Sequence, residues 1–243
     1  MKYNLLNGFA NRQGRFFWSF MKKITKCLII SLTAVLLFSS FNVGKAEENR
    51  KVDFSKPMVA LTFDDGPRKG TTDEILKILE EEGVRATFFV LGEMAAKNPE
   101  ILRKIYLSGN EIANHTYNHP NLKKISLAEA EKEIRKTDEI IFEITGSTPR
   151  LLRAPGGNVT AQLKELFSDR RFVLWTVDSL DWKYRSTEHL ISFFKTASLK
   201  NGDIILMHDI RETTKEALRE VIRIIKNRGF EIVTVSELEI FNG

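Results

Sequence analysis

The chain has 243 residues, of which 42% are hydrophobic and 28% are charged, and this composition suits one globular domain with a sizeable core. Its formal net charge is +5, but residues 1–46 hold seven of the 37 basic residues and no acidic residue. The other 30 basic residues are outnumbered by 32 acidic ones, so residues 47–243 offer no electrostatic reason to bind nucleic acid.

The basic N-terminal segment has the order of a secretory signal. Lysines precede an apolar run of 15 residues, 27–41, and small residues follow at Gly44 and Ala46. We predict that residues 1–46 are a signal peptide cleaved after Ala46. An uncleaved membrane anchor is the alternative, although the run is shorter than the roughly 18–20 residues that a spanning helix needs. The expected location is therefore secreted or cell-wall associated, with membrane contact only through this segment.

The only cysteine, Cys27, lies in the same segment, so the rest of the chain can form neither a disulfide nor a cysteine metal site. Residues 47–56 form a polar linker. Residues 57–243 then make up the single predicted domain.

In this domain, apolar runs alternate with amphipathic segments that carry helix start signals, such as Ser126 with Glu129, and end at glycines, such as Gly229. Alternation of this kind predicts a parallel α/β sheet. Seven strand candidates fit a closed or nearly closed barrel better than a five-stranded open sheet. The predicted strands are 58–61, 86–91, 111–114, 151–154, 172–177, 204–207 and 231–235.

Polar clusters follow the predicted strands at five places. In a parallel barrel the carboxyl ends of the strands share one face, where catalytic groups gather. The clusters are Asp64-Asp65, His115 to His119, Arg153 to Gly157, Asp178 to Trp182, and His208-Asp209. We therefore expect these five clusters to meet at one site.

The first cluster places two adjacent carboxylates where the chain turns at Gly66-Pro67. An ordinary turn with an Asp side chain bonded to local N–H groups is one interpretation. The other is that Asp65 binds a metal while Asp64 acts as a base on water.

His115 and His119 are four residues apart, a spacing that puts both rings on one side of a helical turn. Two surface histidines would have the same spacing. With Asp65 they make a set of two nitrogens and one carboxylate, which leaves a position open for water as catalytic zinc sites do.

Taken in order, the five clusters resemble the motifs of the NodB-type polysaccharide deacetylases, carbohydrate esterase family 4, over about residues 59–238. The resemblance implies a distorted (β/α) barrel and a metal-dependent hydrolase that removes acetyl groups from N-acetylated sugars. It implies that Asp64 is the base and that Asp65, His115 and His119 bind the metal. His208 would then protonate the leaving amine.

The resemblance also assigns supporting roles. Arg153 would pair with the base, and Asp181 would hold His208 as imidazolium. On the substrate side, Pro155 and Gly156 would border the groove, while Trp182 and Leu206 would line the acetyl pocket; plain core packing is the alternative for these last two. The family usually has an aromatic residue where this chain has Gly156, so the resemblance does not determine the shape of the groove.

We expect an exported deacetylase acting on peptidoglycan or another N-acetylglucosamine polymer. An O-acetyl xylan esterase of the same fold is the alternative, as is a catalytically silent carbohydrate-binding or wall-structural module. The expected cofactor is one divalent ion, with zinc favoured by the ligand types and cobalt, nickel or iron also compatible. The expected partner is an acetylated glycan. The sequence does not indicate an oligomeric state.

Overall fold

The computed structural model describes residues 52–242. The predicted leader, 1–46, and the first residues of the predicted linker lie outside the described residues. The described residues fall within one compact unit.

A curled parallel sheet forms the centre of the fold. Its strands are β1 (Met58–Asp64), β2 (Thr87–Val90), β3 (Glu111–Asn114), β4 (Leu151–Leu152), β5 (Arg171–Phe172), β6 (Val177–Asp178), β7 (Asp203–His208) and β8 (Glu231–Val233). Seven of them follow the order β5-β4-β3-β2-β1-β7-β6, and β8 pairs with the first half of β1. Every recorded pair is parallel, and the predicted distorted (β/α) barrel is confirmed.

β1 lies at the middle of this sheet, and all seven of its residues are buried, as expected for a parallel strand covered on both faces. Its side chains alternate between two hydrophobic clusters. Val59, Leu61 and Phe63 pack with the helices on one face, whereas Met58 and Ala60 join the cluster on the other face. The same alternation puts the side chains at positions 62 and 64 on the second face.

The run 172–177, predicted as one strand, is divided in the structure: Phe172 ends β5 and Val177 begins β6, and these two strands lie at opposite ends of the sheet. β5 pairs with β4, and β6 pairs with β7. Residues 173–176, here called the bridging segment, connect them: Val173 donates its N–H to the Leu152 carbonyl, and Thr176 donates to the Ile204 carbonyl. Within residues 52–242 no pairing joins β5 to β6, so the bridging segment spans the gap that a closed ladder would fill.

Helices connect the strands. They are α1 (Thr71–Glu81), α2 (Gly92–Lys97), α3 (Pro99–Leu107), α4 (Leu127–Thr145), α5 (Ala161–Leu166), α6 (Asp181–Tyr184), α7 (Thr187–Thr196), α8 (Glu212–Asn227) and α9 (Val235–Asn242), with a 3-10 turn at Pro155–Gly157. The capping box predicted at the start of α4 is confirmed, because Ser126 accepts from the Glu129 N–H and donates its own N–H to the Glu129 carboxylate. None of the helices between residues 52 and 242 has the length and apolar character needed to cross a membrane.

Three helices, α2, α6 and α9, were not predicted. The final strand was expected to run to Val235, but β8 ends at Val233 because a new helix starts directly after it. Thr234 accepts a hydrogen bond from the Glu237 N–H and donates its own N–H to the Glu237 carboxylate. The sequence carries this Thr-x-x-Glu capping box at positions 234–237, and it marks the start of α9.

Candidate metal centre and active site

Strand register brings two of the predicted catalytic residues together. Asp64 is the last residue of β1 and His208 the last residue of β7, and they are partners in the pairing of these strands. Asp64 is also the partner of Phe89 on β2. The base and the acid predicted from the sequence therefore lie side by side at the carboxyl end of the sheet.

Asp65, His115 and His119 converge on one point. One potential ligand atom from each residue lies within 4.8 Å of the others. The Asp65 Oδ1 atom is 3.7 Å from His115 Nε2 and 3.6 Å from His119 Nε2. The three residues predicted to bind a metal thus form a cluster with the donor types of a catalytic zinc site.

Two observations show that this cluster fits a divalent cation. Asp65 Oδ1 is buried and makes no hydrogen bond with any described residue, and an orphaned carboxylate oxygen of this kind calls for a positive partner. Burial lowers the pKa of His115, although Asp64 and Asp65 oppose the effect, so its imidazole favours the neutral form that binds metals.

The hydrogen bond of His115 also selects the ring nitrogen that faces the cluster. Its Nδ1 atom is 2.7 Å from the Arg153 carbonyl, which can only accept, so Nδ1 carries the proton. The lone pair is then on Nε2, which points toward Asp65. This is the arrangement in which an outer partner orients a metal-binding histidine.

The histidine pair does not lie on a helical turn, contrary to the prediction. Residues 115–120 form a loop, and Thr116 and His119 have φ values of 72° and 63°. Asp65 has a φ of 78°. Non-glycine residues in this left-handed region carry backbone strain that the surroundings must hold in place, and such residues concentrate at functional sites.

Arg153 pairs with Asp64 inside the barrel. The guanidinium is fully buried, and its Nη1 atom is 2.6 Å from Asp64 Oδ1 and 2.9 Å from the Thr62 hydroxyl. Its other nitrogens donate to carbonyls of the bridging segment, at Val173 (3.4 Å) and Leu174 (3.2 Å). Burial lowers the pKa of Arg153, and the charge and hydrogen bond of Asp64 oppose this effect. Asp64 therefore stabilises the charged form of the buried guanidinium.

Asp181 pairs with His208. Asp181 Oδ1 is 2.7 Å from His208 Nδ1, and Asp181 Oδ2 accepts from the His208 N–H (2.8 Å) and the Thr214 hydroxyl (2.7 Å). Burial by itself would lower the pKa of His208, but the hydrogen bond and charge of Asp181, with smaller effects from Asp64 and Asp65, raise it. The imidazole is therefore biased toward the protonated form that a general acid needs.

The predicted substrate residues differ in accessibility. Trp182 is 45% exposed, and its indole N–H is 3.4 Å from Asp178 Oδ2. Leu206 is only 4% exposed, in keeping with core packing, and a contact with an acetyl group stays a prediction for it. Pro155 is buried, and Gly156 is exposed with a φ of 58°, at the turn that follows β4.

Two residues of the site were missed as functional positions. Thr214, on α8, is buried and donates to Asp181, and no periodicity or motif points to it. Asp209 was part of a predicted cluster but received no role. Its carboxylate is fully buried and bonded to the Thr72 hydroxyl (2.6 Å), and burial raises its pKa to about 7.

Comparisons with known proteins agree with this geometry. The family model described as polysaccharide deacetylase matches residues 51–175. The chain is 39% identical over 188 residues to the peptidoglycan-N-acetylmuramic acid deacetylase PdaC of Bacillus subtilis (strain 168), covering 77% of this chain and 40% of that protein. It is 37% identical over 196 residues to the peptidoglycan-N-acetylglucosamine deacetylase PgdA of Listeria monocytogenes serotype 1/2a (strain 10403S), covering 81% of this chain and 40% of that protein.

The chain therefore spans about two fifths of the length of these two relatives. Among solved structures, the peptidoglycan deacetylase PdaC from Bacillus subtilis matches with a TM-score of 0.75 at 39% identity. That match covers 79% of this chain and 94% of the solved chain.

Proposed function

The chain belongs to the polysaccharide deacetylase family, and we propose that it hydrolyses the N-acetyl groups of a cell-wall polysaccharide, either peptidoglycan or another N-acetylglucosamine polymer. The names of the relatives support this class of substrate. The observation that carries the proposal is the pairing in register of Asp64 with His208, each held by its own buried partner, next to the Asp65, His115 and His119 cluster.

Hydrolysis of an amide requires a base for the attacking water and an acid for the leaving nitrogen. Asp64 supplies the base through Oδ2, because Arg153 occupies Oδ1 and Oδ2 lies on the side of His115, 3.6 Å from its Nε2. His208 supplies the acid through Nε2, because Asp181 occupies Nδ1. The two buried partners thus leave one working atom on each residue.

Asp65, His115 and His119 are the residues that would hold the divalent ion. When bound there, a divalent ion would supply a Lewis acid for the acetyl oxygen and would lower the pKa of its bound water toward neutrality. The ligand types favour zinc, and cobalt, nickel or iron suit the same donors. Amide hydrolysis places negative charge on the acetyl oxygen, which a backbone N–H can stabilise. At the Gly156 turn, the Gly157 N–H is bonded to the Ala154 carbonyl, so the proposed donor to this oxygen is the Gly156 N–H.

The test is acetate release by the purified full-length chain. The protein is stripped with a chelator and supplied with Zn²⁺, Co²⁺, Ni²⁺ or Fe²⁺ one at a time. It is then offered peptidoglycan, N-acetylglucosamine oligomers and acetylated xylan. We expect release from the N-acetylated substrates only after a metal is restored.

The other outcomes separate the alternatives. Release from acetylated xylan alone would identify an O-acetyl xylan esterase. Binding to a glycan without release from any substrate, under all four metals, would identify a silent carbohydrate-binding or wall-structural module.

We also propose that the protein is exported and acts at the cell wall, because residues 1–46 have the order of a secretory signal or membrane anchor. Immunoblots of cytosolic, membrane, wall and medium fractions test this location. Recovery of the protein from the cytosol alone would contradict it.

A further inference from the structure

Residues 115–119 form the loop that carries both histidines of the metal cluster, here called the histidine loop. Its backbone passes through the left-handed region at Thr116 and at His119. A loop with two such residues is not held by local preference, so neighbouring groups must fix its conformation.

The backbone N–H groups of the histidine loop are bonded one after another. His115 donates to the Val90 carbonyl (2.9 Å), and Thr116 donates to Asn114 Oδ1 (2.7 Å). The next two N–H groups, those of Tyr117 and Asn118, both donate to one acceptor from a distant element, the Glu133 Oε2 atom on α4, at 2.9 Å each. Among these acceptors, Glu133 is the one that brings a charge to the loop.

The Asn118 side chain adds to this contact. With its amide oriented so that nitrogen faces the carboxylate, Nδ2 lies 3.1 Å from Glu133 Oε2 and 3.2 Å from Oε1. Successive N–H groups that converge on one anion form a concave binding site for it, and charge-assisted hydrogen bonds are about twice as strong as neutral ones. The Glu133 carboxylate is thus an anion of the chain itself that the N–H groups of the histidine loop bind.

We propose that Glu133 is a positioning residue for the metal centre. By accepting the N–H groups of Tyr117 and Asn118, between the two ligand residues, it holds the loop in the conformation that lets His115 and His119 meet at Asp65. It does not belong to the ligand cluster itself. The inference rests on the metal site of the proposed function, and it concerns the affinity of that site before any turnover.

The test measures Zn²⁺ affinity on the metal-free full-length chain by competition with a chromophoric chelator. Partners outside the ligand shell typically change metal affinity by about 10–100-fold when removed, so we expect Glu133→Ala to weaken Zn²⁺ binding by at least about 10-fold. Glu133→Gln keeps a side-chain oxygen for both N–H groups but lacks the charge that strengthens these hydrogen bonds, so we expect it to lose less Zn²⁺ affinity than Glu133→Ala does. Glu139→Ala, an exposed change on the same helix, is the matched control and should not alter affinity.

Each result decides between explanations. Equal Zn²⁺ affinity in folded Glu133→Ala and the unmodified chain overturns the inference and leaves the proposed function standing. A loss in Glu133→Gln as large as that in Glu133→Ala would show that an oxygen acceptor at position 133 does not hold the loop, and it also overturns the inference. If the unmodified chain binds no Zn²⁺, both the inference and the proposed metal chemistry fail.

Should Glu133→Ala not fold, as judged by circular dichroism, Glu133→Asp takes its place. This variant keeps the charge but retracts the carboxylate by one methylene from the two N–H groups. We then expect weaker Zn²⁺ binding than in the unmodified chain, and unchanged binding would overturn the inference.

Discussion

Asp64 and His208 are direct partners in the pairing of β1 with β7, so the sheet itself sets the carboxylate and the imidazole next to each other. Each is bonded to a buried group of opposite charge, Arg153 for Asp64 and Asp181 for His208. This double pairing fixes the orientation of both side chains.

Replacing Asp64 with asparagine should abolish the base while preserving the shape of the site. A positioned general base contributes about 10²–10⁴-fold to rate, so we expect acetate release to fall by that factor. Zn²⁺ affinity should be largely retained, because the ligand set is Asp65, His115 and His119. Activity close to that of the unmodified chain would show that another group takes the proton.

Replacing Arg153 with methionine should destabilise the fold. The change keeps much of the side-chain volume but leaves Asp64 buried without its cation, and breaking a buried ion pair costs about 3–5 kcal/mol. Urea denaturation of the metal-free chain measures this loss. Arg135→Met removes an exposed arginine paired with Glu131 on α4 and should cost less than about 1 kcal/mol; equal losses in both variants would contradict the structural role of Arg153.

Replacing Asp181 with asparagine should shift the pH dependence of catalysis. Asp181 outweighs the effect of burial and raises the pKa of His208, so in its absence the imidazole loses its proton at a lower pH. We expect the alkaline limb of the kcat profile to move to lower pH. An alkaline limb that stays in place would show that His208 is not the acid.

The same pair predicts how stability responds to pH. Because the folded pKa of His208 is raised above 6.5, its contribution to stability is complete below that pH and is lost as pH rises through the folded pKa. Asp181→Asn should remove this decline in urea denaturation of the metal-free chain. A decline of the same size in the variant would contradict the assignment.

Replacing Gly66 with alanine should disturb the turn that carries Asp64 and Asp65. A Cβ at this position would fall on the Asp209 carboxylate, although the backbone there lies outside the left-handed region that favours glycine. Overpacking of this kind costs about 1–3 kcal/mol. Asp209→Ala removes the carboxylate that the new Cβ would contact, so Gly66→Ala should destabilise the Asp209→Ala chain less than it destabilises the unmodified chain. An equal loss of stability in both backgrounds would show that this contact is not the cause.

Asp209 should make the metal-free protein less stable as pH rises. Burial, reinforced by the charges of Asp65 and Asp64 and opposed by Thr72 and His208, raises its folded pKa from 3.8 to about 7. The folded state then holds its proton more tightly, so the free energy of unfolding declines between these two values and levels off above them. Asp209→Asn lacks this decline. Its stability relative to the unmodified chain should therefore increase from pH 5 to pH 8, measured by urea denaturation, and a constant difference would contradict the raised pKa.

The sequence predicted the strands and the positions of the clusters well because short apolar runs bounded by turn residues are local signals. The run 172–177 shows the limit of such signals. Each half pairs with a different end of the sheet, and this choice depends on the partners β4 and β7, which lie far away in sequence. Periodicity along the run contains no trace of that choice.

The supporting residues of the site were the hardest to predict. Thr214 and Glu133 lie on helices, and their contacts with the site arise from how those helices pack on the barrel. An isolated threonine or glutamate on a helix is ordinary in any sequence. The groups that do the chemistry follow strands and can be predicted, whereas the groups that orient them come from elsewhere in the chain.

Arg153 also donates to two carbonyls of the bridging segment, which connects the two end strands, β5 and β6. One guanidinium therefore orients the proposed base and also binds the segment that connects β5 to β6. Displacement of the bridging segment, by heat or by a bulky glycan, would therefore also weaken the contact that orients Asp64. Thermal stability and catalytic activity consequently both depend on Arg153, and a substitution at this position should reduce the two together.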